Sequence, residues 1–243
     1  MVPFGGLREL KMSGLFENIV TIFSTTKYLD LIFQGLLTTF IISLGATVLG
    51  LILGTLVAIV KISPSKSKWM KVPNFICDVY ITVIRGTPMA LQLFIMVFVI
   101  FVIRGFPDKV TAIFAFGINS GAYISENIRA GILSVDKGQT EAGRALGLGW
   151  GKTMVKIVIP QAIKNVIPAI GNEIIALIKE TSIVSMVGIV DLNNAATIIG
   201  SGQNLATYLA PTLVVALFYL AIVYALTFVI KSIERRLRKS EAR

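Results

Sequence analysis

Charged side chains are scarce in this chain, yet several interrupt its most apolar stretches: Arg85, Glu126, Arg129, Lys164, Glu173, Lys179 and Glu180. A charge at mid-bilayer costs at least about 2.5–3.5 kcal/mol, so a side chain kept there carries structure or function. As structure, Arg85–Glu126 and Arg129–Glu173 are pairs that stitch helices together. Glu126 and Arg129 also lie three apart on one helix face and neutralise each other. As function, part of the set, with Tyr123 and Asn172 at similar depth, converges on a cavity and holds a charged solute. Catalysis fits poorly. The chain has no histidine and one cysteine, Cys77, so the commonest general base is missing and metal-ligand spacing is absent. Without a metal cluster or nucleophile motif, a membrane enzyme is disfavoured.

The run Arg85-Gly86-Thr87-Pro88 favours a pathway. Pro88 breaks the helical ladder and leaves backbone groups unpaired. At bilayer depth such backbone is tolerated only inside protein or beside a water-filled cavity. Other polar residues weigh less. Asn119 and Ser120 fit helix packing, Lys164 lies near a helix end and snorkels, and Lys179-Glu180-Thr181-Ser182 falls where an outer gate would be.

The elements holding these residues are membrane helices. Of 243 residues, 55% are hydrophobic and 15% charged, with a mean hydropathy of +0.81. Soluble domains carry about 25% charged residues, so this is an integral, all-α membrane protein. Its length suits one domain of several spans. The net charge of +10 gathers in short clusters beside apolar runs, which matches the positive-inside rule and not nucleic-acid binding. Arg8, Glu9, Lys11 and Glu17 leave no compact apolar core near the start, so no cleaved signal peptide is expected.

A span needs roughly 20 apolar residues, which predicts about five: 31–60, 73–103 (interrupted at Arg85–Pro88), 110–135, 160–178 and 205–230. Gly45, Gly50 and Gly54 give the first span flat faces for close packing. Residues 181–203 read as mixed, with a short re-entrant or surface helix. The basic segments 61–71, with Lys66 and Lys68, 136–156 and the C-terminal "KSIERRLRK" follow spans one, three and five. The opposite loops offer only Arg104 and Lys109, so the N-terminus is expected outside and the C-terminus in the cytoplasm.

On the cytoplasmic side lies "EAGRALGLGWGKTMVKIVIP", residues 141–160. Asp136 is a good N-cap, and Gln139 three positions later suggests a capping box. A short helix over 137–146 then ends at Gly147, a natural C′ position. A second helix resumes near Trp150 and breaks before Pro160, which opens the next span. Ala142, Gly143, Ala145 and Gly147 strip one surface of bulk, so another backbone can approach.

The pattern Glu141-Ala142-Gly143, three residues, Gly147, nine residues, Ile157-Val158-Ile159-Pro160 resembles the EAA motif of ATP-binding-cassette (ABC) importer permeases. Gly143 replaces the motif's second alanine and Ile159 its leucine. "VIRGTPMALQLF" (83–94) resembles the R-G-T-P-x-x-x-Q segment of the polar amino-acid permeases, and residues 121–147 and 171–192 share that subfamily's character. The resemblance covers 31 to the C-terminus. It implies a type I importer permease with a transmembrane domain over 31–239, a coupling hairpin at 136–160, an extracytoplasmic segment at 1–30 and a tail at 240–243.

Further implications follow from the resemblance. Glu141, Ala142, Gly143, Ala145, Leu146 and Gly147 dock on a cytoplasmic ATPase dimer. Arg85, Thr87, Gln92, Tyr123, Glu126, Arg129, Asn172 and Glu173 line the substrate pathway. An amino acid is a zwitterion and needs both a cationic and an anionic partner, which this set offers. The chain itself binds no cofactor and no metal. ATP and Mg belong to the partner ATPase, since the chain has no G-x-x-x-x-G-K-[ST] segment. A second permease subunit, identical or not, and an extracytoplasmic amino-acid-binding protein complete the machine in a prokaryotic plasma membrane. The competing reading is a secondary transporter driven by an ion gradient through Glu126 and Glu173, but no inverted repeat is visible.

Overall fold

The computed structural model describes residues 12–64, 68–102, 106–201 and 205–239. Arg8, Glu9, Lys11, Lys66, Arg104, Gln203 and the tail 240–243 lie outside them. The described residues are helical, with no strand. In chain order they form α1 (Met12–Ser24), α2 (Thr26–Ile62), α3 (Lys68–Gly86), α4 (Met89–Ile95, continued by a π turn, Met96–Ile100) and α5 (Asp108–Leu133). Next come α6 (Lys137–Ala145), α7 (Trp150–Thr153, continued by a π turn, Met154–Val158), α8 (Ile159–Glu180, continued by a 3-10 turn, Thr181–Val187), α9 (Leu192–Gly200) and α10 (Leu205–Lys239).

Three stretches are long and apolar enough to cross a bilayer: Thr26–Ile62, Trp150–Val187 and Tyr208–Leu237. The pair α3 and α4 makes a fourth when taken as one broken span, and its 109° bend falls at Thr87–Pro88, where the interruption of the 73–103 span was expected. Helix α5 has 26 residues, enough for about 30 Å of hydrocarbon at 1.5 Å per residue. Its Asp108, Lys109, Glu126 and Arg129 make it the least apolar candidate.

A correction concerns Pro160. The helix does not break there, since α7, its π turn, α8 and the closing 3-10 turn run on as one stretch of 38 residues. The Ile159 amide bonds to Met154 O, one residue further back than in an α-helix. A proline ring inside a helix collides with the carbonyl four residues earlier, and the extra residue of a π turn makes room for it. The expected short helix in 181–203 is present as α9.

The chain forms two compact units. One holds residues up to Ile41 with Ile178–Tyr224, and the other Ile42–Leu177 with Ala225–Arg243. In the first, Ile22, Ile32, Leu192, Ala195, Ile199 and Val214 make an apolar core. Asp191 is fully buried beside it and caps α9, accepting from the amides of Asn194 at 2.8 Å and Asn193 at 3.1 Å. Tyr219 Oη donates to the same carboxylate at 3.2 Å, and Leu192 N donates to Thr39 Oγ1 at 3.3 Å. Burial pushes the Asp191 carboxyl above its usual range, and these hydrogen bonds pull it partly back.

In the second unit, α2 and α5 pack through glycine. A Cβ on Gly45 would stand 2.8 Å from Ile113 Cδ1, one on Gly50 3.1 Å from Ser120 Cβ, and one on Gly54 2.7 Å from Ile124 Cγ2. Lipid tails are as apolar as leucine, so close van der Waals fit of this kind, not exclusion of water, holds membrane helices together. The expected flat face of the first span is therefore real. Large apolar side chains point outward instead, as with Leu44, Phe75 and Phe228.

Candidate functional site

The α2–α5 contact fixes the polar side chains of α5. Arg85 closes the last turn of α3, where the unpaired carbonyls favour a cation. Its Nη1 lies 3.6 Å from Glu126 Oε2, and its guanidinium stands 5.2 Å from the Tyr123 ring centroid. Arg129 holds the same carboxylate on two sides, Nε donating to Oε1 at 2.9 Å and Nη2 to Oε2 at 2.8 Å. The pair Arg85–Glu126 is thus present, and of the two partners considered for Arg129 it takes Glu126, three residues away, and not Glu173. Bidentate pairs are the strong ones, so Glu126 is largely engaged. The Arg85 side chain remains 40% exposed and can still receive a carboxylate. Two arginines against one glutamate leave this cluster with an excess positive charge.

Glu173 accepts from Ser120 Oγ at 2.9 Å and is half-buried, whereas its neighbour Asn172 is exposed. Gln92 serves the bend. Its Nε2 donates to Ile84 O at 2.7 Å, Thr87 Oγ1 at 2.7 Å and Thr87 O at 3.1 Å, and its Oε1 accepts from Asn119 Nδ2 at 2.9 Å. The Ile84 carbonyl is the acceptor that Pro88, lacking an N–H, leaves empty. Thr87 Oγ1 in turn donates to Val83 O at 2.8 Å. The Gln92 amide is committed to the backbone and to Thr87, so Gln92 and Thr87 brace the bend.

Sequence reasoning set Asn119 and Ser120 aside as packing residues, yet they orient Gln92 and Glu173. It missed Tyr80, which donates to Ile118 O at 2.6 Å and covers Gly121, where a Cβ would stand 2.7 Å from its hydroxyl. For Asn119 and Ser120 the available signal was proximity in sequence, since "INSGAYISE" (118–126) places them within two turns of Tyr123 and Glu126, whereas Tyr80 lies 38 residues from its acceptor and offered no such signal. In the other unit, Lys179, Ser182, Asn193 and Tyr219 line a cavity of about 450 Å³.

The hairpin follows its sequence closely. Asp136 accepts from Gly138 N at 2.6 Å and opens α6. Leu148 N donates to Gly143 O at 3.1 Å and Gly147 N to Arg144 O at 3.0 Å. Those two bonds are a Schellman close, and Gly147 adopts φ +78, a conformation costing other residues about 1–2 kcal/mol. Gln139 departs from the capping box by accepting from Gln161 Nε2 at 3.2 Å. Glu141, Ala142, Ala145 and Leu146 are exposed. Gly143 faces inward, since a Cβ there would stand 2.8 Å from Thr153 Cγ2 and 2.9 Å from Ile157 Cδ1. It seats α6 against the following helix, where sequence reasoning put it on the open surface.

Long apolar helices, a pathway-like bend with charges of both signs, and a capped surface hairpin define a membrane transport component. The chain belongs to the family described as binding-protein-dependent transport system inner membrane component, whose model matches residues 50–239. It is 40% identical over 220 residues to the arginine transport system permease protein ArtQ of Bacillus subtilis, covering 90% of this chain and 97% of that one. It is 39% identical over 202 residues to the L-cystine transport system permease protein TcyB of the same organism, covering 81% and 84%. Among solved structures it resembles an amino acid ABC transporter crystallised with histidines, at 36% identity and a TM-score of 0.80 over 88% of this chain and 98% of that one. The inward-facing MetNI methionine ABC transporter shares the fold, with a TM-score of 0.72 over 88% and 99% at 18% identity. The type I importer permease fold is that expected from the EAA-like spacing, and the ABC amino-acid permease family is that expected from the 83–94, 121–147 and 171–192 stretches.

Proposed function

We propose that this chain is a permease subunit of an ATP-driven amino-acid importer, and that it pairs with a second permease to enclose the pathway. A separate cytoplasmic ATPase dimer binds ATP and Mg and docks on the exposed face of α6 through Glu141, Ala142, Ala145 and Leu146. Gly143 and Gly147 give that face its position and its close. An extracytoplasmic binding protein delivers the amino acid. The chain crosses the membrane five times, counting α5, with its N-terminus outside and its C-terminus inside. Basic residues of the hairpin and of the α10 end support that orientation.

Within the pathway, Arg85 takes the α-carboxylate. Its guanidinium is partly open and steadied by Tyr123, while Arg129 keeps Glu126 from neutralising it fully. Glu173, set by Ser120, takes the cationic group. Closure of the ATPase dimer pulls on α6, and the unbroken helix from Trp150 to Val187 carries that movement into the membrane. ATP-driven closure turns the cavity outward, and release after hydrolysis turns it inward, each step shifting the balance between the two states.

The observation that carries this reading is the Schellman-closed hairpin with its exposed small-residue face. Its test is reconstitution with the ATPase and binding protein in vesicles. Glu141→Lys and Gly147→Asp should lower both substrate-stimulated ATP hydrolysis and uptake, and collapsing ion gradients should leave uptake intact. Unchanged hydrolysis and uptake in both variants, or uptake abolished by an ionophore, overturns the reading.

A further inference from the structure

The hairpin has a second face, away from Glu141 and Leu146, and it is apolar. The stretch from Trp150 to Val166 forms one wall of a groove of about 590 Å³. Ile59 and Ile62 of α2 and Ile132 of α5 supply the others, facing Trp150, Met154 and Ile163. All these residues belong to one compact unit. Among the described residues nothing fills the groove: Ile59 is 61% exposed and Val155 65%.

The stretch that forms this wall carries charge of one sign. Gly151 and Val155 line the groove, and each is followed by an exposed lysine, Lys152 and Lys156. No acid occurs between Leu148 and Asn172. Trp150 stands at the same end, and tryptophan is the side chain that settles at the membrane–water boundary. An apolar slot between transmembrane helices, ending in an aromatic ring and a pair of lysines, has the chemistry that takes a lipid with an anionic head.

We infer that this groove binds an anionic phospholipid, its acyl chains along Ile59, Ile132 and Ile163 and its headgroup on Lys152 and Lys156. The lipid bridges the hairpin to α2 and α5, so it braces the element that receives force. Charge complementarity selects this occupant over a second protein, which would have to bury both lysines. Each base near an anionic surface multiplies the local preference roughly five-fold. A neutral, zwitterionic phospholipid gains little of that.

The chain has two tryptophans, which makes the test direct. With Trp69→Phe, Trp150 is this chain's only tryptophan, and its signal is the difference between that complex and one that also carries Trp150→Phe, each placed in zwitterionic vesicles with a minor share of brominated phosphatidylglycerol. Quenching of Trp150 should exceed that share several-fold and match it when phosphatidylcholine carries the bromine. Lys152→Gln with Lys156→Gln should remove the excess. Equal quenching by the two lipids overturns the proposal, as does an excess that survives loss of both lysines. Absence of quenching by either lipid means that a protein segment covers the groove, and also overturns it. None of these outcomes depends on transport, so the proposal can fail while the importer reading stands.

Discussion

Replacing Gly143 with alanine tests how the hairpin is seated. The new Cβ would lie 2.8 Å from Thr153 Cγ2 and 2.9 Å from Ile157 Cδ1, where carbon contacts are optimal at about 3.5–4.0 Å. Thr153 cannot simply turn aside. It is fully buried, and its hydroxyl donates to Gly149 O at 3.2 Å. Overpacking of this kind costs about 1–3 kcal/mol, while glycine to alanine in a helix returns about 0.8–1 kcal/mol. The net loss is about 1 kcal/mol, or roughly five-fold in the population with α6 lifted. Hydrogen exchange of the 137–146 amides in the reconstituted complex reads that population, because local opening sets the rate. Exchange should quicken about five-fold in Gly143→Ala. Adding Thr153→Ser removes the offending methyl, keeps the hydroxyl and should restore the native rate. Native exchange in the single variant, or no recovery in the double one, would refute the seating argument.

Three further outcomes follow from the same geometry. Gln92→Leu strips the bend of its amide bonds and leaves Asn119 without its acceptor, at about 1–3 kcal/mol; the purified protein should melt earlier, and spin labels on α3 and α4 should show a broader distance distribution. Arg85→Gln removes a charge-assisted bond worth about 1.5–3 kcal/mol, so half-saturation of uptake should rise ten-fold or more. Asp191 has a folded pKa above its unfolded value, so the stability it contributes is complete below the ordinary carboxyl range and is lost as pH rises through the folded value. Asp191→Asn should flatten that dependence in limited proteolysis of α9.

What the sequence made legible was local. Asp136 as cap and Gly147 as close depend on a side chain or a dihedral within a few residues, and both are in place. Gly50 and Gly54 were legible as a flat face because small residues at that spacing have few other uses in a membrane helix. The break at Pro88 was legible for the same reason, but its 109° was not, since Asn119 braces Gln92 from 27 residues away. The partner of Arg129 stayed open between Glu126 and Glu173 because two acids lay within plausible reach and only packing chooses between them. Pro160 was read as a stop because proline normally ends a helix, and the π turn at Met154–Val158 removes the collision. Gly143 looked like docking surface until the neighbouring Thr153 and Ile157 were in place. Asp191 passed unnoticed because its partners Asn193 and Asn194 are adjacent but Tyr219 is not.

The central claim is that α6 meets an ATPase. Leu146 is 80% exposed at the end of that helix, so a photo-reactive amino acid in its place, in the assembled complex in native membranes, measures the contact directly. The account predicts a covalent adduct with an ATP-binding-cassette ATPase subunit, identified by mass spectrometry, whose yield changes when ATP is added. Adducts to lipid alone, or to proteins that bind no ATP, would contradict it.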